Sequence, residues 1–187
     1  VPLSVWEINA DTDLAIIEAG VSQKGEMSSL QSIIKPNIGI FTNINSEHAD
    51  GFKSIKQKCD EKALLLAECD TIIYCSDQAT VNDSVNRICQ AQTKIGWSIY
   101  DSSAPLYISS IRKTNNSTTV IYTYLGSSDE ITLPFTADAD IQNAIHCLAL
   151  MLHLNRPSIE IASAMAELTQ IKTRLNVIEG VNECMLI

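Results

Sequence analysis

Apolar and polar positions alternate in blocks along this chain, and the block lengths predict its elements. Residues 13–18, DLAIIE, form a short apolar run before Gly20, the pattern of a buried strand. Residues 25–34, GEMSSLQSII, have helical spacing and stop at Lys35-Pro36, since the residue before a proline disfavours helix. A second buried strand is predicted over 37–44, a helix over 54–69, a strand over 71–75, a helix over 81–89 and a strand over 94–100. Strand and helix alternate throughout, which predicts an α/β fold with a doubly wound, mostly parallel, Rossmann-like sheet.

The period then changes to two. Residues 106–112, 118–125 and 130–134 alternate, with Asn115-Asn116 and Gly126-Ser127-Ser128 as turns, so a small antiparallel meander is expected beside the parallel sheet. Helices follow over 138–154 and 158–168, with Pro157 at the start of the second, and a strand region begins at 177. His146 and His153 stand seven apart on the first of these helices and read as structural.

One helix carries an anomaly. At about 100° per residue, Ile55, Cys59, Leu66 and Cys69 fall within about 40° of one direction. Lys62 falls among them, while Lys53, Lys56, Gln57, Asp60 and Glu61 lie outside the stripe and can meet water. A buried ammonium is costly without a partner. It can snorkel, pair with a carboxylate such as Glu18 or Glu47, or react as the neutral amine with carbon dioxide to give a carbamate. The carbamate reverses the charge and offers two hard oxygens, the ligands Mg²⁺ takes.

Charge and cysteine content narrow the partners. The chain has 187 residues, 45% of them hydrophobic, and a net charge of −9. That balance argues against a nucleic-acid or anionic-membrane surface. Six scattered cysteines without a C-x-x-C read as reduced core residues of a cytoplasmic protein. No signal peptide and no apolar run near 18 residues is present. The chain opens on Val1 and closes on the apolar run CMLI, which reads as a piece of a longer polypeptide.

Ligands of doubly wound sheets gather at the carboxyl ends of the strands. Glu18 ends the first predicted strand, and His48 follows the second after Asn45-Ser46-Glu47. Taken singly, each also reads as an ordinary loop residue. With Lys62 on the next helix they could form a cluster around a metal ion.

The stretches LAIIEAG and PNIGIFTNINSEHADGF, with a lysine fourteen residues after the histidine, resemble the central domain of the Mur ligases. These are ATP-dependent amide-forming enzymes of peptidoglycan precursor synthesis. The resemblance implies that Glu18 and His48 hold magnesium and that a carbamylated Lys62 supports a second magnesium near the γ-phosphate. EAGVSQKGEM and HADGFKS resemble the branch that adds D-alanyl-D-alanine to UDP-MurNAc-tripeptide. ADADIQNAIHCLAL resembles the family's H-N-x-x-N-A-x-A-A helix start, so Asn143 is expected at the adenine, although Asp140 replaces the first asparagine. KTRLNVIEG resembles the hinge, so Arg174 is expected at the nucleotide phosphates, with Asn176 in place of a glutamate.

The resemblance also implies a domain plan. Residues 1–176 would be the central domain, split into a parallel part (1–100), the meander (101–136) and helices (137–176). Residues 177–187 would be the hinge and the start of a C-terminal domain. No G-x-x-G-K-[ST] phosphate loop occurs in the chain, so these residues alone are expected to be inactive. Another Mur-type or folylpolyglutamate synthase-like ligase and a non-catalytic α/β binding module remain alternatives, and the parent could be a fusion with an alanine racemase.

Overall fold

A computed structural model describes residues 2–44, 51–90 and 92–169, together with two short strands at 178–179 and 185–186. Among these residues the order is α1 (Pro2–Trp6), α2 (Glu26–Ile34), β1 (Ile38–Phe41), α3 (Ile55–Leu65), β2 (Thr71–Cys75), α4 (Ala79–Ile88) and β3 (Thr93–Ser98). Then come β4 (Leu106–Lys113), β5 (Thr118–Tyr124), β6 (Ser127–Leu133), α5 (Asp138–His153) and α6 (Ser158–Ala166). The pair β7 (Ile178–Glu179) and β8 (Met185–Leu186) forms a separate antiparallel ladder.

The main sheet has six strands in the order β1-β2-β3-β4-β5-β6. The first four are mutually parallel and the last three form the meander. The meander is continuous with the parallel part, because β4 pairs with β3 on one side and β5 on the other.

Successive residues of a strand point to opposite faces, and here both faces are covered. Ile72 and Tyr74 of β2 pack with Phe41 against Cys59, Ala63 and Leu66 on the α3 side and Val81 and Val85 of α4. Ile73 and Cys75 point the other way, into a larger core shared with β3, the meander, α5 and α6. That two-sided burial is why β2 reads as five apolar-compatible residues in a row, all buried. Gly39 is required by this packing: a Cβ there would lie 2.5 Å from a methyl carbon of Leu66. Four of the predicted core thiols, Cys59, Cys69, Cys75 and Cys89, are buried and free, whereas Cys147 is exposed and Cys184 lies outside the described residues.

Three expectations are corrected. Residues 13–18 are not a strand; they run without ladder pairing, with Leu14 76% and Ile16 88% exposed. Apolar content alone cannot make a strand, which needs a partner for its backbone groups. Among the described residues no strand occupies the outer edge of β1. The turn predicted at Gly126-Ser127-Ser128 is the two residues Leu125 and Gly126, both at positive φ (49° and 81°), with Ser127 already in β6. A two-residue hairpin turn needs this left-handed backbone to match strand twist.

The third correction concerns α3. Its start is set by Ser54, whose side chain accepts the Gln57 N–H, while the Gln57 side chain accepts the N–H of Lys53. The buried arc is wider than one stripe because α3 packs on the sheet and also has α2 on one flank and α4 on the other. Glu61, expected in water, is 4% exposed. Its Oε1 accepts the N–H groups of Gly25 (2.8 Å) and Met27 (3.0 Å) at the start of α2. Asp60 on the opposite flank accepts from Ser84 of α4 and pairs with Arg87. Ile55, expected on the stripe, is 46% exposed at the first turn.

Candidate functional site

The carboxyl end of β1 opens into a cleft of about 500 Å³. Its walls include Glu18, Gly20, Thr42, Lys62, Asn143 and His146, contributed by the 13–20 segment, β1's exit, α3 and α5. Three of the site residues expected from the sequence, Glu18, Lys62 and Asn143, therefore line one cavity. His48 and Arg174 lie outside the described residues.

Lys62 sits where the stripe argument places it, half-buried, with Nζ 5.7 Å from the centre of the Phe41 ring. Burial is the main force holding its ammonium below the ordinary lysine value, and the Lys58 charge adds to this. Cys59 and Glu18 act in the opposite direction, so the Glu18 carboxylate is near enough to be felt. A lysine held toward its neutral form is one that can react as an amine.

The chain around the cleft is held closely. Gly51, just after the 45–50 stretch, packs on the Ser22 carbonyl; a Cβ there would lie 2.1 Å from that oxygen. This brings the chain after His48 against the loop after Glu18. Glu26 tightens the same loop, accepting from the Ser22 N–H (2.7 Å), the Ser22 hydroxyl (2.7 Å) and the Gln23 N–H (3.1 Å). These bonds hold its carboxyl below the usual carboxylate range.

A second set of contacts joins β1 to α5. Asn43 donates its amide to the Gln142 side chain and accepts from the Gln78 side chain at the start of α4. His146, 2% exposed, places Nδ1 2.8 Å from the Gln142 carbonyl oxygen and Nε2 3.1 Å from that of Phe41. Its ring meets Trp97 edge-on, with centroids 5.3 Å apart. Burial holds its imidazole below the ordinary histidine value, against the pull of the two carbonyls. The spacing of His146 and His153 predicts a structural role for both. Both keep one: His153 has Nε2 3.1 Å from the Thr71 hydroxyl at the start of β2, and the buried His146 ring, which also lines the cleft, faces two backbone carbonyls. The signal in the sequence is an imidazole on the apolar face of α5 that must find polar partners inside the fold.

Among the residues that line the cleft, Glu18, Thr42 and Asn143 carry hard oxygen donors and Lys62 carries an amine. Such a set suits Mg²⁺ better than a soft metal. Among the described residues no three His, Cys, Asp or Glu side chains cluster as a ready-made metal site. Glu18 and Lys62 are thus the described residues that could hold the ion.

Residues 1–151 match the family described as Mur ligase middle domain. The UDP-N-acetylmuramoyl-tripeptide–D-alanyl-D-alanine ligase of Borreliella burgdorferi is 28% identical over 180 residues, 95% of this chain and 38% of that protein. The crystal structure of MurF from Acinetobacter baumannii superposes with a TM-score of 0.78 at 19% identity, covering 94% of this chain and 39% of that one. MurF from Thermotoga maritima in complex with ADP superposes with a TM-score of 0.69 at 16% identity, covering 86% and 37%. The chain thus spans under two-fifths of the length of these relatives.

Proposed function

The chain belongs to the Mur ligase family through its middle domain, and we propose from that premise that it is the ATP-handling centre of a ligase adding D-alanyl-D-alanine to UDP-MurNAc-tripeptide. The observation that carries this reading is the single cleft shared by Glu18, Lys62 and Asn143. The likeness to the Borreliella burgdorferi ligase over 95% of the chain supports the substrate assignment, and the ADP in the Thermotoga maritima structure supports the nucleotide.

In this reading Asn143 on the first turns of α5 meets the adenine, and Arg174 the phosphates. Glu18 and His48 would hold Mg²⁺, which would supply positive charge to offset that of the phosphate oxygens. Lys62 would serve as the carbamate: its neutral amine adds to carbon dioxide, the new N–C bond forms, and one proton leaves to solvent. The tripeptide carboxylate attacks the γ-phosphorus of ATP, the bond to the β–γ bridging oxygen breaks, and ADP leaves as the acyl phosphate forms. The amine of D-alanyl-D-alanine then displaces phosphate, forming the amide. Residues 177–187 lead from this domain to the next, and the work is done in the cytoplasm.

The test uses the complete polypeptide that contains these residues, supplied with ATP, Mg²⁺, UDP-MurNAc-tripeptide and D-alanyl-D-alanine. Pentapeptide product and phosphate are expected in equal amounts, and Lys62→Ala should slow turnover by about a hundredfold or more. A carbamate signal from ¹³C-labelled bicarbonate is expected on the parent and not on the variant. Full activity in Lys62→Ala would remove the lysine from the mechanism, and absence of product in the parent would overturn the ligase reading. Residues 1–187 alone, which contain no G-x-x-G-K-[ST] stretch, are expected to turn over no ATP.

A further inference from the structure

Two walls of the cleft belong to elements that the chain's order leaves far apart. Thr42 follows β1, and Asn143 lies on α5, about a hundred residues later by the numbering. Something must fix their separation if one ligand is to touch both.

The geometry supplies it twice over. Phe41 and Asn43 are two residues apart along an extended chain, a span of about 6.6 Å. Gln142 and His146 are four apart on a helix, a rise of about 6 Å. The spans match, so two residues on one element can meet two on the other in register. Asn43 gives its amide to the Gln142 side chain, and the His146 ring reaches the Phe41 carbonyl through Nε2 at 3.1 Å. Gln78, at the start of α4, holds the other side of the Asn43 amide. The Trp97 ring edge-on to His146 limits how the imidazole can turn.

A neutral imidazole has one N–H and can donate to one of its two facing carbonyls. The Gln142 carbonyl already serves the helix ladder, where it faces the His146 backbone N–H four residues on. A ring proton on Nε2 is the one that would cross between elements, to the Phe41 carbonyl at 3.1 Å, whereas one on Nδ1 would close a contact inside α5, to the Gln142 carbonyl at 2.8 Å.

We propose that His146, as the Nε2–H tautomer, is a positioning residue that with Gln142 latches the end of β1 to α5 and so sets the distance between Thr42 and Asn143 across the cleft. It touches neither phosphate nor metal; it acts through the backbone of Phe41. The proposal rests on the nucleotide reading above for its consequence in catalysis, but not for the latch itself.

Two experiments separate those levels. In residues 1–187 labelled with ¹⁵N, the imidazole spectrum should show the proton of His146 on Nε2. Amide exchange at Thr42 and Asn43 should rise about tenfold in His146→Ala while β2 and β3 stay protected. His146→Gln, which keeps a side-chain N–H able to reach Phe41, should restore most of that protection. A proton on Nδ1, or unchanged exchange at Thr42 and Asn43 in His146→Ala, overturns the latch. If His146→Ala does not fold, the tautomer of the parent and the exchange of His146→Gln decide alone.

In the complete polypeptide, His146→Ala should raise KM for ATP about tenfold with a smaller change in kcat, and His146→Gln should recover it. A loss confined to kcat, or no recovery with glutamine, overturns the positioning role. If the parent itself makes no product, the ligase reading has failed, and the exchange measurements still judge the latch.

Discussion

Glu61→Ala removes one carboxylate oxygen that closes two backbone N–H groups, and the cost can be worked from the structure. Oε1 of Glu61 accepts from Gly25 at 2.8 Å and from Met27 at 3.0 Å, in a side chain only 4% exposed. A hydrogen bond to a charged group contributes roughly 1.5–3 kcal/mol. Negative charge at a helix start adds roughly 0.3–1 kcal/mol. Against this, the variant no longer holds a carboxylate away from water, which returns a large part of the gross gain. The net loss expected for Glu61→Ala is about 2–3 kcal/mol, a large share of a typical stability of about 5–15 kcal/mol. Glu61→Gln separates geometry from charge. The amide oxygen can take the place of Oε1 for both N–H groups, so its loss should be about 1 kcal/mol. Urea unfolding measures both, read as a lower midpoint at unchanged slope. Glu61→Ala within about 0.5 kcal/mol of the parent would refute the reasoning, because that is the scatter of an ordinary surface change. Glu61→Gln as damaging as Glu61→Ala would show that the charge, and not the shared acceptor, does the work.

Two other outcomes follow from packing and titration. Gly39→Ala places a Cβ 2.5 Å from a Leu66 methyl carbon and should destabilise by about 1–3 kcal/mol; the Gly39→Ala/Leu66→Ala pair should cost less than the sum of its singles, as a double-mutant cycle in urea would show. His146 is held below its ordinary value of 6.5, chiefly by burial, so the unfolded chain binds the proton more readily. Its contribution therefore falls as pH drops below 6.5, and stability measured by urea should decline there with a slope that His146→Gln reduces. Equal slopes in parent and variant would refute the assignment.

The sequence makes the alternation of strand and helix legible because most of the elements are buried in the way their periods imply. β2 is found over residues 71–75, as expected, since five buried residues in a row have few alternatives to a two-faced strand. Lys62 is legible for the opposite reason: a cation on an apolar stripe breaks a local rule, and such breaks concentrate at functional sites. Glu61 is misread because one-dimensional periodicity assumes a single buried face, and α3 has neighbours on three sides. The 13–18 run is misread because hydrophobicity reports a wish for burial, while a strand also needs an unpaired neighbour to bond with. The partners of Asn43 and His146 escape because they lie about a hundred positions away, at Gln142 and Phe41, and no local pattern encodes them.

The bare outer edge of β1 has a consequence for how these residues behave in concentrated solution. Its ladder groups have no strand beside them among the described residues, and Ile40 on β1 and Ile16, which lines the same cleft, are 37% and 88% exposed. An open edge with greasy neighbours is a template on which further chains can add. What keeps chains apart is mutual repulsion from a net charge of −9. That barrier shrinks as salt shortens the screening length, to about 8 Å near 0.15 M, and vanishes as pH approaches the pI of about 4.7. For residues 1–187 by themselves, colloidal stability is thus expected to be an electrostatic property superimposed on a sticky geometric one, greatest in dilute, mildly alkaline buffer.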